Sequence, residues 1–79
     1  MTLLYFAQTR RIAGVASETL DVPGPLSTDE LWRELAQRHP DLVLLRPVLR
    51  LARNGEFANP DDHFHPGDEV ALIPPVSGG

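Results

Sequence analysis

The last six residues, Pro74-Pro75-Val76-Ser77-Gly78-Gly79, carry the arrangement best suited to chemistry. Glycine has no Cβ, so Gly78-Gly79 can extend and enter a channel too narrow for any other residue. The reactive group at the end of that thread is the Gly79 carboxylate, a poor electrophile until its oxygen is made a leaving group. Pro74 and Pro75 lack N–H donors, which ends a sheet ladder and stiffens the exit of the tail. The four residues beyond Pro75 reach about 13 Å at full extension. That is enough to deliver a carboxylate into another protein's active site. A frayed end or an expression scar gives the same pattern, but the Met1 start and the lack of a tag-like segment favour the chemical reading.

Elsewhere the residues offer little chemistry of their own. There is no cysteine, which excludes disulfides, thiolate metal sites, iron–sulfur clusters and a cysteine nucleophile. No nucleophile–base triad or paired-carboxylate arrangement stands out. His63 and His65 would share a face of an extended segment, with Asp61 and Asp62 nearby. Two histidines without a third ligand at a defined spacing make a weak metal set, and no metal site is assigned. All seven basic residues are arginine. An activated C-terminus would therefore meet no lysine amine on its own molecule, leaving only the α-amino group.

Bulk properties bound the rest. Seventy-nine residues make one domain with a modest core and no covalent staple. The net charge of −4 disfavours nucleic acid as a partner and suits partners with basic clefts. No apolar run approaches a membrane span and no signal segment opens the chain, and the lack of cysteine makes a cytoplasmic setting the default.

These groups must be positioned by a short series of elements. Thr2–Ala7 reads as a first strand, apolar on both faces, so its inward set is left open. Gln8–Val15 reads as a rather long loop. Glu18–Val22 alternates and reads as a second strand with Leu20 and Val22 inward. Ser27-Thr28-Asp29-Glu30 fits a capping box, with Leu26 and Leu31 as its hydrophobic staple. The helix it starts turns Leu31, Trp32, Leu35 and Ala36 inward and ends at Pro40. Leu42–Val48, interrupted by Arg46-Pro47, reads as a covering loop or short turn. Val48–Arg53 is a third strand, Asn54-Gly55 a tight hairpin turn into Glu56–Ala58, and Glu69–Ile73 the last strand. The order is β-β-α-β-β-β, an α+β class with one main helix on one face of a mixed sheet.

That order, ending in a projecting Gly-Gly, resembles a ubiquitin-like β-grasp domain. Phe6-Ala7-Gln8-x-Arg10-x-x-x-Gly14 is similar to the signature of the molybdopterin synthase small-subunit family. So is Gly67-Asp68-Glu69-Val70-Ala71 followed by Pro74-Pro75-Val76-Ser77-Gly78-Gly79. The two motifs lie at opposite ends, so the resemblance covers the whole chain. It departs at Arg11, where the family often carries Glu, and in the variable middle segment.

The resemblance implies a β-grasp domain over 1–75 and a flexible tail over 76–79. It implies that an adenylating activating enzyme, using ATP and magnesium, converts the Gly79 carboxylate to an acyl-adenylate. Sulfur then displaces AMP to give a thiocarboxylate. The tail enters the molybdopterin synthase large subunit, in a heterotetramer of two large and two small subunits, and gives sulfur to a cyclic pterin phosphate precursor. Catalytic groups would lie on the large subunit, and this chain would hold no stable cofactor and be no enzyme by itself.

On this reading Gly79 is the reacting residue and Gly78 the thread behind it. Arg10, matching the family's arginine beside strand one, is a partner-contact candidate. Phe57, Ile73 and Pro74, apolar where alternation points outward, would form a docking patch leading into Pro75, Val76 and Ser77. Rival readings are a sulfur carrier for thiamine or tRNA thiolation, a protein modifier joined to lysines through Gly79, and a passive interaction module.

Overall fold

A computed structural model describes residues 1–75. The elements are β1 (Thr2–Tyr5), α1 (Gln8–Ala13), β2 (Ser17–Thr19), β3 (Leu26–Ser27), α2 (Thr28–Arg38), a 3-10 helix (Pro40–Val48), β4 (Arg50–Arg53), β5 (Glu56–Phe57), β6 (His63–Phe64) and β7 (Glu69–Ile73). Five strands form one sheet in the order β2-β1-β7-β4-β5, while β3 and β6 make a separate two-stranded pair. The first and last long strands lie side by side in parallel, with Tyr5 opposite Leu72, and every other pairing is antiparallel. The terminal strand is therefore held on both sides, by β1 and β4, up to the point where the tail leaves it.

Period-two alternation sorts the sheet into an inner and an outer face. Leu3 and Tyr5 of β1 and Val70 and Leu72 of β7 are buried inward, which resolves the face that the all-apolar first strand left open. They meet Leu31, Trp32 and Leu35 of α2, with Leu20, Leu42 and Phe64 closing the core. Ala36 is half-buried, and Val22 packs against this core from outside β2. The mixed sheet with one main helix on one face is as expected.

The capping box at α2 is complete. Glu30 N–H donates to Ser27 Oγ at 3.2 Å, and Ser27 N–H donates to Glu30 Oε1 at 3.0 Å. The Asn54-Gly55 turn has φ values of 51° and 87°, the double left-handed geometry that asparagine and glycine tolerate best. Asn54 also accepts the Glu69 N–H through Oδ1 at 2.9 Å, tying this hairpin to the start of β7.

Several segments differ from the sequence expectation, among them the unexpected short strands β3 and β6. The loop over 8–15 contains the six-residue helix α1, entered through Ala7 with no side-chain cap and ended by Gly14 at φ 79°. Its formation shortens the first strand to Tyr5 and moves the second back to Ser17–Thr19. The 42–48 segment is part of a nine-residue 3-10 helix that runs through Pro47. A proline is easier to accommodate where the backbone is not committed to a continuous i→i−4 ladder. The third strand starts at Arg50 rather than Val48, because that helix occupies the residues before it.

Candidate functional site

The expected site is the end of β7 and the surface around it. Gly78, Gly79, Val76 and Ser77 lie outside the described residues, so the site is described from its root. Ile73 is the last residue of β7 and pairs with Arg50 of β4. Pro74 follows half-buried and Pro75 exposed. The ladder ends at Ile73, where the two prolines begin.

Registry gathers an apolar patch on the outer face. Ala52 is opposite both Ala71 and Phe57, and Leu4 is opposite Ala71. Residues two apart on a strand share its face, so Ile73 and Arg50 join this set. Phe57 is 54% exposed, and the Arg50 guanidinium carbon lies 3.7 Å from its ring centroid. Phe57 and Ile73 are thus on one face, as the sequence implied, with Pro74 at its margin. Arg50, which sequence reasoning passed over, is the charged member. Phe6 was passed over too: it leaves β1 at the level of Ile73 and is 47% exposed.

Arg10 sits on the exposed side of α1. Its neighbour Thr9 is fully buried. The Phe6 N–H donates to Thr9 Oγ1 at 2.8 Å, and the hydroxyl lies 2.8 Å from Phe6 O and 3.3 Å from Leu72 O. These contacts anchor α1 to β7 one residue before the strand ends, so Arg10 is presented next to the tail's root and does not belong to the Arg50–Phe57 set.

The other polar cluster lies at the β2 edge. Tyr5 OH donates to Glu18 Oε1 at 2.5 Å, His39 Nε2 is 2.6 Å from the same oxygen, and an Arg38 nitrogen is 3.9 Å from Oε2. Burial and the bond to Glu18 push the Tyr5 phenol far above its ordinary range. Burial would raise the Glu18 carboxyl, but the bonds from Tyr5 and His39 and the cations around it outweigh that and hold it low. This cluster fastens β1, β2 and the C-terminal end of α2.

Asp68 is likewise held low, chiefly by the His65 backbone N–H and then by Asn54. That bond uses the His65 backbone; the ring Nδ1 lies 3.7 Å from the same carboxylate. Among the described residues no three His, Asp or Glu side chains converge as a metal-ligand set.

The arrangement can present a thread and dock it. Comparisons with known proteins give the family. A family model described as the ThiS family matches residues 3–79. The chain is 42% identical to the molybdopterin synthase sulfur carrier subunit of Homo sapiens over 98% of this chain and 91% of the relative. It is 38% identical to the protein of the same name from Chlamydomonas reinhardtii, over 98% and 95%. The solved structure of a putative molybdopterin converting factor subunit 1 from Pyrococcus furiosus superposes with a TM-score of 0.81 at 28% identity, covering 95% of both chains. SAMP1 from Haloferax volcanii superposes with a TM-score of 0.78 at 32% identity, covering 99% of this chain and 97% of that one. The β-grasp fold is common to these neighbours. With a family match that reaches from the first strand through the diglycine end, the chain belongs to the ThiS family.

Proposed function

We propose that this chain is the sulfur-carrier subunit of molybdopterin synthase, with the Gly79 carboxylate as the carrying group. The observation that carries the reading is the exit of β7. The strand is held between β1 and β4 up to Ile73, and it ends beside an exposed apolar patch, ahead of Pro74-Pro75 and a diglycine end. A rigid root fixes where the thread starts, and the patch gives a partner something to grip. The full-length likeness to proteins named molybdopterin synthase sulfur carrier subunit supports this choice among carrier pathways.

The chemistry follows from the carboxylate. An adenylating activating enzyme, using ATP and magnesium, attaches AMP to the Gly79 carboxylate and releases pyrophosphate. A persulfide sulfur attacks the acyl carbon and expels AMP. A thiol then reduces the acyl disulfide, leaving a thiocarboxylate, which is anionic at neutral pH. The tail enters the large subunit, which supplies the acid–base and oxyanion groups, and its sulfur passes to a cyclic pterin phosphate precursor. Two sulfurs make one dithiolene, matching two small and two large subunits in the assembly. On this reading the chain works in the cytoplasm and holds no cofactor of its own.

The experiment is a precursor-to-molybdopterin assay with the large subunit and the carrier, coupled to intact-mass measurement of the carrier. The loaded carrier has one carboxylate oxygen replaced by sulfur and supports product formation. Purely unmodified carrier under sulfur-replete conditions counts against the proposal. The likeness to SAMP1, a structure also described as a small archaeal modifier protein, favours a second reading in which Gly79 is joined to lysines of other proteins. Isopeptide adducts on target proteins, found by mass spectrometry, are its signature.

A further inference from the structure

The parallel ladder between β1 and β7 stops one rung short of the tail's root. Thr2 N–H donates to Asp68 O at 2.9 Å, and Thr2 and Leu4 are opposite Glu69 and Ala71. In a parallel pair every second residue of one strand donates to the other at even spacing. The next donor in that series is Phe6 N–H, and its acceptor is Leu72 O. Phe6 N–H donates instead to Thr9 Oγ1 at 2.8 Å, and the hydroxyl lies 3.3 Å from Leu72 O. One hydroxyl oxygen can accept and donate, so Thr9 stands in for the missing rung as a two-step relay.

The hydroxyl proton has two carbonyl oxygens in reach, Phe6 O at 2.8 Å and Leu72 O. Phe6 O already accepts the Thr9 N–H at 3.0 Å. Leu72 is fully buried, and its carbonyl points to the β1 side, past the last β1 donor. Leaving it without a donor would strand a buried polar group. Satisfying both strand ends therefore sends the proton to Leu72 O.

The surroundings are built to hold that relay. The chain leaves β1 through Ala7 at φ 50°, a conformation that a non-glycine residue keeps only where its neighbours impose it. Helix α1, with six residues, is too short to be stable by itself. Its one fully buried residue is Thr9. A strained turn and a short helix thus place one hydroxyl against the carbonyl one residue before β7 ends.

We infer that Thr9 is a positioning residue for sulfur delivery: its hydroxyl completes the β1–β7 ladder at Leu72 and so fixes the direction in which the tail leaves Ile73. The inference rests on the function proposed above. On the β4 side, Ile73 is held by its pairing with Arg50. On the β1 side, the relay is the hold. Pro74 and Pro75 have a restricted φ, so a change of direction at Ile73 is carried outward to the thread. A reacting group displaced by about 1 Å can lose on the order of 100-fold in rate. Thr9 is buried away from the outer-face patch, so its loss should slow transfer without weakening docking.

The test is single-turnover sulfur transfer from the loaded full-length carrier to the precursor, with the large subunit titrated to saturation. Wild type, Thr9→Val, Thr9→Ser and Ser27→Ala are compared at a temperature where thermal melts show each one folded. Thr9→Val should lower the saturating rate by about tenfold or more and move the half-saturating concentration by less than about twofold. Thr9→Ser keeps the hydroxyl and should recover the rate to within about threefold of wild type. Ser27→Ala removes the α2 cap, in the separate β3–β6 pair, and should transfer at the wild-type rate despite lower stability. Thr9→Val at the wild-type saturating rate, a loss that more large subunit restores, no rescue by Thr9→Ser, or equal slowing by Ser27→Ala each overturns the inference and leaves the function standing. Loaded wild-type carrier that yields no product overturns both. If Thr9→Val does not fold, Thr9→Ala, which cuts the same bonds with a smaller side chain, takes its place. If neither folds, the hydroxyl serves stability alone and the inference falls.

Discussion

The Thr9 hydroxyl lies 3.3 Å from the Leu72 carbonyl oxygen, joining residues 63 apart in sequence at a fully buried point. It is the fastening between the helix that carries Arg10 and the strand that carries the tail. Thr9 Oγ1 also accepts the Phe6 N–H at 2.8 Å, so one small side chain satisfies the turn out of β1 and bridges to β7. Thr9→Val keeps the shape and loses both bonds. It should destabilise the fold by about 1–3 kcal/mol, the usual cost of stranding buried polar groups. Chemical denaturation should show a lower midpoint at unchanged slope, and Thr9→Ser should recover much of the loss.

Ala7 turns the chain from β1 into α1 at φ 50°, ψ −118°. That conformation is the first central position of a hairpin-type turn, with Thr9 N–H donating to Phe6 O at 3.0 Å, and it favours glycine over any residue with a Cβ. Strain of this kind costs on the order of 1–3 kcal/mol, against about 0.5–1 kcal/mol of added backbone freedom for glycine. Ala7→Gly should therefore raise stability slightly, read as a higher melting temperature. A lower one would mean that the alanine methyl supports the turn.

How far the sequence reached follows from the range of each signal. The Ser27–Glu30 capping box and the Asn54-Gly55 turn are encoded in neighbouring residues, so both were legible. The inward face of β1 was not, because Leu3-Leu4-Tyr5-Phe6 is apolar on both sides, and pairing with β7, remote in sequence, decides it. Helix α1 has no capping side chain; its start is imposed by the Ala7 backbone and by Thr9's bonds. The pairing of β3 with β6 spans two residues on each strand, too short for periodicity to register. Within the site, Phe57 and Ile73 were readable as outward apolar residues. Arg50 was not singled out, since its stacking on Phe57 depends on the diagonal neighbour across the β4–β5 hairpin.

Glu18 gives the fold an acid-side pH dependence. Its carboxyl is held below the ordinary value of 4.5 in the folded protein, so the unfolded chain takes up a proton first as pH falls. The stabilisation is fully present above about pH 4.5 and is lost as pH drops through the lower folded value. Glu18→Gln keeps an acceptor for Tyr5 but cannot ionise. Its unfolding free energy should be lower than wild type at pH 7, and the difference should shrink towards pH 3. An identical pH slope in both proteins would assign the acid sensitivity to other groups, such as Asp68, which is also held low.

Docking and delivery should separate cleanly by mutation. Phe57 is 54% exposed and its side chain lies on the outer face, away from the core. Phe57→Ala should therefore change stability by less than about 1 kcal/mol while weakening association with the large subunit by about tenfold or more, as expected for an aromatic anchor at an interface. Raising the large-subunit concentration should recover sulfur transfer by this variant. A residue appended after Gly79 should act in the opposite way. It leaves the body and its patch untouched, so binding persists, but it moves the reacting carboxylate away from its required position at the end of the glycine thread. Transfer should be abolished and should not return at any concentration. If the extended carrier still transfers sulfur, or if Phe57→Ala fails in the same concentration-independent way, the division of labour between patch and tail is wrong. Body and tail would then have to be treated as one catalytic unit.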